Sequence, residues 1–462
     1  MTVDHPARIV ALRPSLNGRS HRQTQSLSAV SRSVSCLTSF QQMLVEPRTI
    51  EGTGLPKSFL SDLVLKMLYT DGVLEGHEIA SALCLHFSGV VEPLLSALRH
   101  DNLVEVKGGN HLNPASYRYD LTEKGTQRAR KAWERNCYVG PCPVTLEQYI
   151  NIIKTQSSQR PRVGQAEVVR AVRDLIFSPE IVERIGPAVN SFKSLFIYGP
   201  PGNGKTSIAK AIGSHLLGGE VMVPHAIFAD GQVIKVYDLE THQALAEPQE
   251  EHQGQPKLDR RWVRCRPPVI ITGGELTLHD LDLAYNDVAR YYEAPLQLKA
   301  NGGMFLIDDF GRQQMRPKDL LNRWIVPLEE RIDFLTFHTG KKIAIPFETL
   351  IVFSTNLNPE KLVDDAFLRR IRHKFGIDYP TADKYHKIFL EACKGRGIAF
   401  SQETFIHLVQ HYYLASERSF QACHPRDLLD QLTDFATYLG EPVEMTVELM
   451  DKAASSYFAR LF

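Results

Sequence analysis

Residues Gly199-Pro200-Pro201-Gly202-Asn203-Gly204-Lys205-Thr206 fit G-x-x-x-x-G-K-[ST], the phosphate-binding P-loop. Glycines let backbone N–H groups close around phosphate oxygens, and a helix starting at the loop adds partial positive charge. In such a loop Lys205 reaches the β- and γ-phosphates, and the Thr206 hydroxyl ligates Mg²⁺. The expected binding set runs from Gly199 to Ser207, with ATP and Mg²⁺ as cofactors.

Further residues could act on the bound phosphate. Met304-Phe305-Leu306-Ile307 is an apolar run ending in Asp308 and Asp309. Asp308 is expected to hold Mg²⁺, directly or through water, and Asp309 to polarise the attacking water. A second apolar run, residues 350–355, carries Asn356 at its polar tip, placed either to orient that water or to cap a turn. Then comes Asp364-Asp365-Ala366-Phe367-Leu368-Arg369-Arg370-Ile371-Arg372. Its arginines suit a finger supplied to a neighbouring subunit, or a solvated, salt-bridged helix end. Arg426 begins a later helix, from which it would lean over the nucleotide.

These residues need a scaffold. Leu195-Phe196-Ile197-Tyr198 reads as a buried strand before the P-loop, and Ile208-Ala209-Lys210-Ala211-Ile212 as the helix behind it. Strands and helices alternate over residues 164–380, which predicts an α/β core with a parallel sheet. Residues 218–268 read as an insertion in it, with a strand at 233–237 beside an Asp230-Gly231 turn and a mobile polar loop at 246–260. Residues 381–462 are expected to form a helical lid domain.

The front of the chain reads differently. Residues 1–50 hold six Arg, no Lys and two acids, the composition of a disordered tail or a transit peptide. Over residues 54–135, Leu60, Leu63, Val64, Met67 and Leu68 mark one helix, residues 78–83 a second, and a third follows with Ser88 as its cap. Two strands then flank a glycine-bearing loop with Gly108, Gly109 and Asn110. Three helices followed by such a wing resemble a winged helix-turn-helix domain. This segment has ten Lys/Arg and ten Asp/Glu, and its third helix offers only Arg99 and His100, so protein docking is favoured over DNA binding. Residues 136–163, rich in Pro and Ser, read as a linker.

Composition narrows the class. Lys+Arg and Asp+Glu both total 53, so the chain as a whole has no pull toward nucleic acid or anionic membranes. No apolar run is long enough to span a bilayer, so no membrane role is expected. Seven dispersed cysteines suggest reduced thiols in the cytoplasm. Cys137 and Cys142 lack a matching pair at zinc spacing.

P-loop, acidic strand end, Asn-tipped strand, Arg cluster and Arg-bearing terminal helix occur in an order that resembles the AAA+ ATPases over residues 163–462. The resemblance implies Walker A roles for Lys205 and Thr206, Walker B roles for Asp308 and Asp309, and a sensor 1 role for Asn356. It makes Arg369 or Arg372 the arginine finger, with Arg370 a substitute, and Arg426 the sensor 2 arginine. Val163-Gly164-Gln165 resembles the entry segment near the adenine. Most members have Glu where Asp309 stands, so the shorter side chain leaves slow hydrolysis open. A Gly340-turned hairpin over residues 334–347 is similar to that of MoxR-type ATPases and bacterial enhancer-binding activators. The whole resembles a bacterial group called predicted ATPases with chaperone activity, which favours a plain disordered tail over a transit peptide.

The resemblance implies a homo-oligomeric ring, commonly a hexamer, that hydrolyses ATP to ADP and phosphate while remodelling an unidentified protein client. Tyr291 and Tyr292 are candidates for gripping that client, although core packing is the favoured reading. Two alternatives stay open: a DNA-binding regulator or loader, and a slow nucleotide-gated switch.

Overall fold

Apolar side chains at helical spacing build the first helix. Leu60, Leu63, Val64, Met67 and Leu68 all lie buried on α1 (Lys57–Asp71), which Gly72 ends at φ 78°. The computed structural model describes residues 40–108, 113–246, 257–358, 362 and 368–458. Most of the expected tail, Gly109 and Asn110 of the wing loop, residues 247–256 of the polar loop and Asp364–Phe367 thus lie outside the described residues.

After α1 come β1 (Leu74–Glu75), α2 (Gly76–Ala82), α3 (Glu92–His100), β2 (Val104–Gly108), β3 (Arg118–Leu121) and α4 (Glu123–Arg135). β3 pairs antiparallel with both other strands, in the order β1-β3-β2. Ser88 does not cap α3. A wide helical turn over Phe87–Val91 leads into that helix, and His86 caps the turn, its Nδ1 accepting from Gly89 N–H at 3.1 Å.

The tail does not extend to residue 50. Leu44 is buried, and Glu46 N–H donates to Lys257 O at 2.9 Å. Nor are residues 136–163 an exposed linker, since they hold β4 (Val144–Thr145) and α5 (Leu146–Ser158). Thr145 and Gln148 form a capping box, and Tyr149, Ile152 and Ile153 turn inward at helical spacing.

The chain continues through α6 (Gln165–Ala171), α7 (Pro179–Ser191), β5 (Ser194–Tyr198), α8 (Lys205–Ala211), β6 (Val221–Pro224), β7 (Ala226–Ala229) and β8 (Gln232–Lys235). Then follow β9 (Trp262–Cys265), β10 (Val269–Thr272), β11 (Ala284–Asn286), β12 (Tyr291–Glu293), α9 (Leu296–Lys299), β13 (Met304–Ile307) and α10 (Pro317–Glu330). β14 (Ile332–Thr336), β15 (Lys342–Pro346), β16 (Leu350–Thr355) and β17 (His373–Gly376) complete this region.

Five of these strands form a parallel sheet in the order β10-β13-β16-β5-β17. Every residue of β13 and β16 is buried, as expected for strands covered on both faces. β14 and β15 make the expected hairpin, with Gly340 at φ 83° in its turn.

A second sheet, β11-β12-β8-β7-β4, joins β7 and β8 of the insertion to β4 before it and to β11 and β12 after it. Asp230 and Gly231, at φ 52° and 77°, turn β7 into β8, in the left-handed geometry of a tight hairpin. Tyr292 is fully buried in this region, so the core-packing reading holds for it. The polar loop ends in order: Asp259 and Arg261 are buried and paired at 2.7 Å. Arg261 Nη1 also donates to Thr53 O and Pro143 O, at 3.3 Å each. The front helices share one apolar core with Ala226 and Val233 of the insertion, and the Phe59 and Phe228 ring centroids lie 4.5 Å apart.

The C-terminal region is helical, as expected: α11 (Ala382–Arg396), α12 (Gln402–Leu408), α13 (His424–Leu439) and α14 (Val447–Tyr457). Tyr385, Phe389, Leu408, Leu428, Leu432 and Met450 anchor its separate core.

Candidate nucleotide site

β5 delivers the chain to the glycine loop. Gly199 lies at φ 138°, and a Cβ there would sit 2.1 Å from Ile377 O, so the loop is pressed against the strand end beside it. Gly202 and Gly204, at φ 72° and 87°, complete the cradle, and α8 starts directly at Lys205. Lys205 is buried, its Nζ donating to Gly199 O at 3.0 Å and Pro200 O at 2.9 Å. Burial pulls its pKa below the usual lysine range, against the opposing pull of Asp308 and Asp309.

The sheet order sets the rest of the site. β13, β16 and β5 are adjacent and parallel, so Asp308, Asn356 and the P-loop share one edge. Thr206 Oγ1 donates to Asp308 Oδ2 at 2.7 Å. Asn356 Nδ2 donates to Asp309 Oδ1 at 2.8 Å, and Asp309 stands at φ 48°. Two bonds stitch this acidic turn to β16: Phe310 N–H to Ser354 O at 2.7 Å and Thr355 Oγ1 to Phe310 O at 2.6 Å. Gln313 Nε2 adds a third hold, on Asp308 O at 3.0 Å. Gln313 carries no sequence signal, because nothing in its spacing distinguishes it from a surface glutamine.

The C-terminal region touches the loop tip. Asn203 Oδ1 accepts from Ala422 N–H at 3.0 Å, and Gly202 O accepts from Cys423 N–H at 2.9 Å. A Cβ on Gly202 would meet Cys423 Sγ at 2.5 Å. Arg426 follows within a helical turn, but Asp427 holds its guanidinium, at 2.9 Å from Nε and 2.8 Å from Nη2.

The arginine cluster lies elsewhere. Arg372 N–H donates to Ser194 Oγ at 3.0 Å, at the amino end of β5. A strand rises about 3.3 Å per residue, so Gly199 is roughly 16 Å from Ser194. Arg369 and Arg372 are exposed, whereas Arg370 Nε binds Glu329 at 2.6 Å. Earlier in the chain, Val163 is clipped by the Asn190 carboxamide, at 2.8 Å to its N–H and 2.9 Å to its O.

No group of three or more His, Cys, Asp or Glu among the described residues suits a metal ion. Nor is any single helix there long and apolar enough to cross a membrane.

Comparison with known proteins gives one family match and short local similarities. Residues 381–456 match the family described as Domain of unknown function (DUF8689). A 54-residue stretch is 50% identical to the vesicle-fusing ATPase of Dictyostelium discoideum, covering 12% of this chain and 7% of that protein. A 47-residue stretch is 47% identical to the vesicular-fusion protein SEC18 of Saccharomyces cerevisiae, covering 10% of this chain and 6% of that one. The chain thus spans only a small part of the length of either relative.

Among solved structures, NtrX from Brucella abortus in complex with ADP aligns with TM-score 0.38 and 12% identity, over 74% of this chain and 68% of that one. A Thermotoga maritima RuvB mutant aligns with TM-score 0.34 and 12% identity, over 64% of this chain and 73% of that one. The fold itself is α/β, a five-stranded parallel sheet with the P-loop at its carboxyl edge, followed by a helical C-terminal region.

Proposed function

We propose that the chain is an AAA+ ATPase that binds ATP and Mg²⁺ at Gly199 to Ser207, hydrolyses ATP, and works as a homo-oligomeric ring on a protein client in the cytoplasm. The observation that carries this reading is the paired contact at the sheet edge: Thr206 on Asp308 at 2.7 Å and Asn356 on Asp309 at 2.8 Å, beside a glycine cradle. Hydroxyl and carboxylate oxygens facing one point are hard donors that fit Mg²⁺. The cradle fits phosphate, since glycines at positive φ free its N–H groups. Bound ATP and Mg²⁺ supply an electrophilic phosphorus and neutralise its oxygens.

The chain's own groups do the rest. Lys205 exchanges its two loop carbonyls for phosphate oxygens. Asn356 fixes the Asp309 carboxylate, which accepts the proton of the attacking water. Arg369 or Arg372 serves the neighbour's site. The separation of Arg372 from its own P-loop along β5 supports that assignment. Arg370, engaged by Glu329, is the weaker candidate. Arg426 acts after a change of partner from Asp427.

The short stretch shared with a vesicle-fusing ATPase supports ATP hydrolysis. Three helices and a β1-β3-β2 sheet support a winged-helix-like docking role for residues 54–135, and the β14–β15 hairpin supports the MoxR-like branch. The six described cysteines are free, which supports a reducing compartment.

ATP turnover per protomer across a wide range of protein concentration, with Arg369→Ala and Arg372→Ala alongside, tests this reading. A steep rise with concentration that one Arg variant abolishes is expected. Flat turnover indifferent to both changes sinks the shared-site ring. A second reading, a slow nucleotide-gated switch, draws on the short Asp309 held by Asn356. An Asp309→Glu variant much faster than the natural chain would favour it.

A further inference from the structure

A groove of about 640 Å³ lies between α1, the end of α3 and α4, lined by residues of the front region and none of the P-loop. Lys57, Lys124, Arg128 and Lys131 line it, against two acids, Asp62 and Asp101. Asp62 is already matched, since Arg128 and Arg135 bind its carboxylate at 3.1 and 2.6 Å. Lys57 and Lys131 stand exposed, and Lys124 Nζ donates to a neutral carbonyl, Asp101 O, at 2.9 Å. Half-exposed Ala97 and Leu103 give the groove apolar surface. The ten bases and ten acids of residues 54–135 cancel in composition, but packing gathers cations here.

We propose that this groove docks an acidic segment of a protein partner, its carboxylates meeting Lys57, Lys124 and Lys131 and an apolar side chain resting on Ala97 and Leu103. The inference rests on reading residues 54–135 as a protein-docking domain, and is independent of the ATPase reading. Two other occupants fit less well. A phosphodiester chain needs a run of unpaired cations and gains nothing from apolar surface. Residues 1–39 of this chain carry five Arg and one acid, the wrong sign for a basic groove.

Fluorescence anisotropy on the full chain tests the proposal. The probes are a labelled peptide alternating Glu with Leu, its Gln-for-Glu counterpart, and a short duplex DNA. The Glu peptide should bind about tenfold tighter than the Gln peptide and weaken with added salt. The double variant Lys57→Glu, Lys131→Glu should lose about tenfold of that affinity while its ATP binding stays unchanged, which reports an intact fold. Equal behaviour of the two peptides, including no binding by either, overturns the acidic-partner inference. So does a double variant that binds like the natural chain. Duplex DNA binding tighter than the Glu peptide overturns the docking reading as well.

Discussion

The P-loop edge and the front groove hold polar groups in opposite ways. At the P-loop Lys205, Thr206, Asp309 and Asn356 already have partners within the chain, at 2.7 to 3.0 Å. In the groove Lys57 and Lys131 stand in solvent. A site for a ligand of fixed shape is preorganised atom by atom. A docking surface needs only a local excess of one charge, which packing supplies by bringing α1 and α4 together.

The largest expected effect breaks the joint between the two regions. Arg261→Met leaves Asp259 buried without its partner, at a cost of about 3–5 kcal/mol. Denaturant unfolding measures it, and a change below about 1 kcal/mol would show that the pair does not hold the regions together. Next, Lys205→Ala should weaken ATP binding and turnover about a hundredfold, roughly 2.7 kcal/mol, while the Glu peptide binds as before. Parallel loss at both sites would mean that the regions are coupled rather than contrasting.

A smaller effect separates the C-terminal region from both. Burial, reinforced by Arg418, lowers the His424 pKa from 6.5 to about 4. The folded chain keeps the ring neutral, with Tyr413 OH 2.8 Å from Nδ1, whereas the unfolded chain protonates it near the ordinary value. This contribution is therefore present above pH 6.5 and lost as pH falls toward about 4. Unfolding midpoints of the natural chain and His424→Gln across that window should differ in slope, by on the order of 1–3 kcal/mol. Identical slopes would exclude His424 as the titrating group. The smallest effect is Asn356→Ala, which frees the Asp309 carboxylate. Turnover should drop about tenfold with ATP affinity nearly unchanged, and loss of affinity instead would assign Asn356 to binding.

The comparison also explains what the sequence disclosed. The P-loop residues are chain neighbours, and Asp308 and Asn356 sit at the ends of strands apolar enough to recognise, so the cluster at this sheet edge was legible. The contact of Asn203 with Ala422 spans 219 residues, and no local pattern announces it. Asp259 and Arg261 border a polar run, and only the tertiary fold reveals them as a buried pair. The groove stayed hidden because residues 54–135 are neutral in sum. In the stretch expected as a linker, Pro and Ser outweighed the three apolar positions that make α5 a packed helix.

That stretch decides how the molecule can be divided. β4 is only two residues long, yet it covers the outer edge of β7. Any truncation meant to isolate the front helices from the α/β core must cut through residues 136–163. A core fragment beginning at residue 164 would lose β4 together with Tyr149, Ile152 and Ile153, leaving a bare strand edge beside uncovered apolar surface. Such fragments invite edge-to-edge aggregation, so poor solubility of a shortened chain would report a missing strand rather than an unstable core.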